Sequence, residues 1–131
     1  YGPTDNNFRV VQKFIQKILS NEKISANNPK SNFLDFTYVK DIAEGIKLAT
    51  LTETSDLEIF NITRGEGKSL YELLQILEKK LGKFDYEITQ ENGIYPKRGA
   101  LDISNAKKKL NYKPQFSLEK GIEEYISFIK S

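Results

Sequence analysis

The chain contains no cysteine and no histidine. Without cysteine there is no disulfide, no thiol nucleophile and no thiolate-held zinc. Without histidine the usual general base near neutral pH is missing, and so is the commonest metal ligand. Asp, Glu, Lys, Tyr and Ser are left as the main candidates for proton transfer. No apolar run approaches the ~18 residues of a membrane-crossing helix, and no signal peptide is seen. A cytoplasmic protein with no membrane partner is therefore expected. An excess of one charge is lacking too. The 20 basic and 18 acidic residues give a net charge of +2 and are interspersed, which argues against a nucleic-acid partner. There is no initiator methionine, and the opening Tyr1-Gly2-Pro3 reads as a fragment's start.

What is present fits one soluble domain spanning residues 1–131. Apolar residues make up 38% and charged residues 29%, ordinary values for a globular chain. From Asn7 to Asn21, apolar residues Val10, Val11, Phe14, Ile15, Ile18 and Leu19 recur at helical spacing. Asn27, Asn28, Pro29 and Ser31 read as a loop. Phe33 to Val39 is aromatic and β-branched and predicts a strand. Lys40 to Leu51 predicts a helix burying Ile42, Ala43, Ile46 and Ala49. Leu57 to Ile62 predicts a buried strand.

Ser69 and Glu72 form a capping-box pattern ahead of Leu73, Leu74, Leu77 and Leu81, with Gly82 as the stop. Phe84 to Thr89 predicts a strand. Ser104 opens a short basic helix ending near Leu110, and Ser117 caps a last helix carrying Ile122, Tyr125 and Ile126. The order α-β-α-β-α-β-α-α is helix-rich α/β.

Few motifs carry chemistry by themselves. Gly65-Glu66-Gly67-Lys68-Ser69 lacks the earlier glycine of a phosphate loop, because position 62 is Ile, and reads as a turn before a capped helix. Asp35, Asp41 and Glu44 cluster in sequence, but nothing pushes their acidities apart as acid–base work requires. Asp41 is expected to charge a helix start. Glu123 and Glu124 are expected to face water. Lys107, Lys108 and Lys109 read as a solvated helix face. Arg98 is the better anion candidate, because a planar fork can grip phosphate bidentately. No metal site is expected. The 7 Tyr and 8 Phe are expected mostly in the core.

The order of several blocks resembles the extended short-chain dehydrogenase/reductases, in particular the nucleotide-sugar epimerases and dehydratases. Tyr1-Gly2-Pro3 is similar to the segment after the family's sixth strand, and Arg9-Val10-Val11 with Phe14-Ile15 to the helix that follows. Leu34-Asp35-Phe36-Thr37-Tyr38-Val39-Lys40-Asp41-Ile42-Ala43 resembles the family's RDF-x-YV-x-D block. Phe60-Asn61-Ile62 with Ser69, Glu72 and Leu73 resembles another block. So do Leu101-Asp102-Ile103-Ser104-Asn105-Ala106 and Leu110-Asn111-Tyr112-Lys113-Pro114. Asn105 and Asn111 stand where Lys and Gly are usual.

The resemblance implies the carboxy-terminal, substrate-binding part of an extended Rossmann-type enzyme, without its amino-terminal NAD(P)-binding half. NAD or NADP would belong to the parent protein, with no cofactor bound by this chain alone. The partner would be a nucleoside-diphosphate sugar, and the parent a homodimer formed through the other half. None of the seven tyrosines has Lys four residues on, so the family's Tyr-x-x-x-Lys pair is absent. No catalytic residue is therefore assigned, and the chain is expected to be inactive alone. Substrate contacts carried over by resemblance are Arg9, Val10, Asn27 and Arg98. Leu34 stands where many members have an arginine, and Asn27 where they often have an aromatic. These departures motivate a second reading, a non-catalytic binding or structural module that has lost the usual diphosphate contacts.

Overall fold

The computed structural model describes residues 1–53, 57–90 and 98–131. The elements, in order, are α1 (Val10–Leu19), β1 (Ile24–Asn27), β2 (Phe33–Asp35), α2 (Val39–Leu51), β3 (Gly67–Ser69), α3 (Leu70–Leu81), β4 (Tyr86–Thr89), α4 (Ser104–Leu110) and α5 (Leu118–Lys130). The expected α/β, helix-rich class is present. Strands β1 and β4 pair in parallel, Ile24 opposite Tyr86 and Asn27 opposite Thr89. Strands β2 and β3 pair antiparallel, Asp35 opposite Gly67.

The helical periodicities explain the main core. Val11, Phe14, Ile15 and Ile18 of α1 are buried with Leu70, Leu73, Leu74 and Leu77 of α3 and Leu118, Ile122, Tyr125 and Ile126 of α5. Ile24 and Ala26 of β1 fill the same core. The α3 start is a complete capping box. The Glu72 N–H donates to Ser69 Oγ at 3.1 Å, and the Ser69 N–H donates to Glu72 Oε2 at 2.8 Å. Gly82 ends that helix at φ 90°, a value that favours glycine. The Lys120 N–H donates to Ser117 Oγ at the head of α5. Asn111 follows α4 at φ 53°. After glycine, asparagine is the residue that best tolerates this left-handed cap.

Several expectations are corrected. Residues 57–62 form no strand: Leu57 is 95% and Ile59 79% exposed. Only Phe60 and Ile62 of this stretch pack, against a second small core of Ile103, Ala106, Leu110 and Tyr112. The strand at Phe33 stops at Asp35, because Phe36 and Tyr38 turn into the main core. Asn27 ends a strand and does not lie in a loop. In α2, Ala43 and Ile46 are exposed; the buried residues are Asp41 and Gly45, while Ile42 is partly buried and Ala49 packs against the second small core. Leu81 is only partly buried, and Leu19 is 45% exposed.

Two tyrosines make stability depend on alkaline pH. Tyr38 is 1% exposed, with its ring 4.7 Å from that of Phe116, and its hydroxyl donates to Glu124. Burial, and then the Glu124 charge, push its pKa from 10.0 up to about 12. Burial, with Asp41 and Asp35, pushes Tyr112 to about 12 as well. The native state therefore keeps protons that the unfolded chain loses, and unfolding releases them. This stabilisation is full below pH 10 and fades as pH rises from 10 to about 12. A thermal midpoint that stays level across that window would contradict it.

Candidate binding cleft

A cleft of about 770 Å³ opens where the chain start, the head of α1, the end of β2 and the start of α2 meet. That volume falls in the usual range for small-ligand sites, roughly 300–1,000 Å³. Residues 1–5, Asn7 and Arg9 form one wall. The Tyr1 carbonyl accepts from the Val39 N–H at 2.9 Å, fastening this wall to α2. The Asn7 N–H donates to Asp5 Oδ1 at 3.1 Å. Thr4 and Phe8 lie at φ 64° and 48°, positions that strain a non-glycine residue by about 1–3 kcal/mol. Gln12 holds the second of them. It is 7% exposed, and its Oε1 accepts from the Phe8 N–H at 3.0 Å. The strained turn delivers Arg9, Val10 and Val11 to the cleft at the first turn of α1.

The opposite wall carries Leu34, Asp35 and Thr37, and Arg98 completes the rim. Arg9, Val10 and Arg98 are thus brought together, although about ninety residues separate the two arginines in sequence. Neither arginine forms an ion pair with a described residue, and both are exposed. Arg64 differs: its Nη1 donates to the Pro114 carbonyl at 2.7 Å and its Nε lies 3.6 Å from Glu66. Asn27 is not among the cleft's lining residues; it sits on β1, opposite Thr89. Leu34 does line the cleft, as an apolar surface.

The cleft lining carries Arg9 and Arg98 beside Asp5 and Asp35, and little to move a proton. Tyr1 lines the cleft, but its hydroxyl donates to the Leu118 carbonyl at 3.2 Å, and burial raises its pKa, so it holds its proton more firmly. Among the described residues no group of three or more acidic side chains could hold a metal ion. No helix there is long and apolar enough to cross a membrane. Lys107, Lys108 and Lys109 are exposed and outside the cleft; Lys109 pairs with Glu58. Glu123 pairs with Lys80 across α3 and α5, while Glu124, half-buried, binds Lys40.

The sequence pattern missed Asp35, Thr37 and Gln12 as builders of this cleft. Asp35 was visible as one of a carboxylate cluster, but its hydrogen-bond partners come from distant segments. Gln12 was hidden as a polar residue on an apolar helix face.

No family model matches the chain. It is 32% identical over 132 residues to a UDP-glucuronate 4-epimerase of Thermodesulfobacterium geofontis, covering 99% of this chain and 40% of that protein. It is 26% identical over 137 residues to a dTDP-L-rhamnose 4-epimerase of Burkholderia thailandensis, covering 98% and 37%. Among solved structures it resembles UDP-glucuronic acid 4-epimerase of Bacillus cereus in complex with UDP-glucuronic acid and NAD. The TM-score is 0.88 at 29% identity, over 99% of this chain and 42% of that one. The chain spans about two fifths of the length of these proteins.

Proposed function

We infer the function from kinship: the chain corresponds to the carboxy-terminal portion of the NAD-dependent nucleotide-sugar epimerases and dehydratases of the extended short-chain dehydrogenase/reductase family. Its proposed role is to grip a nucleoside-diphosphate sugar and hold the sugar for hydride and proton transfer by groups that this chain does not supply. The observation that carries this reading is the meeting of Arg9 and Arg98 in one cleft. Two guanidinium groups suit a diphosphate, and the amide end of α1 adds partial positive charge beside them. Leu34 offers apolar surface to the same ligand.

NAD is present in the Bacillus cereus neighbour. This chain's sequence has no G-x-G-x-x-G turn to hold a pyrophosphate. In the proposed arrangement the cofactor therefore sits on residues outside this sequence, which alone turns over no nucleotide sugar.

Calorimetric titration with UDP tests the reading. Arg9→Ala and Arg98→Ala are each expected to weaken binding about tenfold, the loss of roughly one charge-assisted bond. Binding that ignores both substitutions would remove the cleft from consideration. A second reading, a non-catalytic binding module, draws on Leu34, which puts an uncharged side chain on the cleft wall. Turnover of any UDP-, dTDP-, GDP- or CDP-sugar by a protein joining this chain to a cofactor-binding half would exclude it.

A further inference from the structure

Arg98 lies in an irregular stretch, and its place on the cleft rim needs a cause. Among the described residues a single hydrogen bond reaches residues 98–101: the Leu101 N–H donates to Asp35 Oδ2 at 3.2 Å. The same oxygen accepts from the Gly65 N–H at 3.2 Å. The other oxygen, Oδ1, accepts from the Thr37 hydroxyl at 3.3 Å. That hydroxyl in turn accepts from the Arg64 N–H at 2.9 Å. One carboxylate at the end of β2 therefore ties three separate segments together. Gly67, opposite Asp35 in the strand pair, lies beside the same stretch, where an added Cβ would come 3.5 Å from the Ala100 nitrogen.

We propose that Asp35 is a positioning residue that sets Arg98 on the cleft rim and so strengthens anion binding, although it is itself an anion on the cleft wall. The inference rests on the cleft binding a diphosphate, as argued above. Its physical content is a conflict of sign. A carboxylate near a bound diphosphate repels it, so simple electrostatics predicts that neutralising Asp35 tightens binding. The tether predicts the reverse. The Asp35 carboxylate is already engaged by two backbone amides and a hydroxyl. These donors hold its negative charge, while the segment it fastens carries a positive one.

UDP is the probe, titrated by calorimetry into the intact chain at a temperature well below unfolding. Asp35→Asn keeps the size and removes the charge. Its expected effect is about fivefold weaker binding, against the tightening that charge alone would give. Asp35→Glu keeps the charge and shifts the acceptor by one methylene; it is also expected to weaken binding, and it serves if the Asn variant does not fold. The decisive measurement is the pair with Arg98→Ala, because residues acting through one another are not additive. In that background the Asp35 substitutions should weaken binding no further. A general loosening of the fold would lower affinity in both backgrounds.

The outcomes separate the two ideas. If Arg9→Ala and Arg98→Ala both leave UDP binding unchanged, the site reading fails and this inference falls with it; if Arg98→Ala alone does, the site reading stands on Arg9 and the tether is overturned. If Arg98→Ala weakens binding while the folded Asp35 variants bind as well or better, or the two losses multiply, the site reading stands and the tether alone is overturned.

Discussion

Replacing Asp41 by alanine is expected to destabilise the protein by about 3 kcal/mol, although the residue does not line the cleft and lies in the first turn of α2. Asp41 is 3% exposed. Its Oδ1 accepts from the Gln115 N–H at 2.7 Å and its Oδ2 from the Phe116 N–H at 3.0 Å. A hydrogen bond to a charged group contributes roughly 1.5–3 kcal/mol, and an orphaned buried N–H adds its own desolvation penalty. Two such bonds are lost together. They pin the segment before α5, and Phe116 packs against Tyr38 from that segment. At roughly 3–5 °C per kcal/mol for a chain of this size, the thermal midpoint should fall by about 10 °C. Asn, which keeps one acceptor, should fall about half as far. A midpoint within about 2 °C of the parent for the alanine variant would show that the two bonds add little. The expected role, charging a helix start, is the lesser part of what Asp41 does.

Gly45→Val should be comparably damaging, by about 3 kcal/mol, for the opposite reason: too much matter rather than too little. A Cβ at position 45 would sit 2.2 Å from Ile62 Cγ2 and 3.1 Å from Tyr112 Cε2. Tyr112 is fully buried, so the ring has little room to yield. Overpacking a tight core usually costs about 1–3 kcal/mol, and a β-branched residue adds a second obstructing branch. Valine would gain some helix propensity over glycine, a few tenths of a kcal/mol, which does not offset the clash. Denaturant unfolding of the single variant and of Gly45→Val with Ile62→Ala decides the cause. The second change should recover part of the loss by vacating the closest methyl. If the pair is simply worse than either alone, crowding against Ile62 is not the reason.

The same two residues show where sequence reading of this fold works and where it stops. Helices α1, α3 and α5 announce themselves because each has an apolar face and each feeds one core; Ser69, Glu72, Gly82 and Ser117 mark ends in the way their side chains or backbone require. Helix α2 is legible as a helix, and Ala49 packs inward as expected, but its most buried side is not legible from hydropathy. Its inward side holds Gly45, which carries no hydropathy to count, and Asp41, which counts as polar. The apolar residues Val39 and Ile46 are left 42% and 57% exposed. Leu57 to Ile62 has the composition of a strand, but a strand also needs a neighbour to share its hydrogen bonds, and residues 57–62 have no strand partner among the described residues. Strand β1 was missed because Ser25 and Asn27 dilute a four-residue stretch whose pairing depends on β4. For the cleft, resemblance supplied Arg9, Val10 and Arg98. Asp35, whose partners are at 37, 65 and 101, needed three dimensions.

The parallel pairing of β1 with β4 also bears on how the chain is made. Ile24 meets Tyr86, so about sixty residues must be synthesised after the first strand before its partner exists. At roughly 5–20 residues per second, that is an interval of about 3–12 seconds. During it the backbone donors and acceptors along β1 lack the strand that will cover them, and such an edge is open to pairing with other chains. A tight hairpin would close this window almost at once; a crossover through α2 and α3 does not. The order in which the chain emerges therefore leaves β1 without its partner during synthesis.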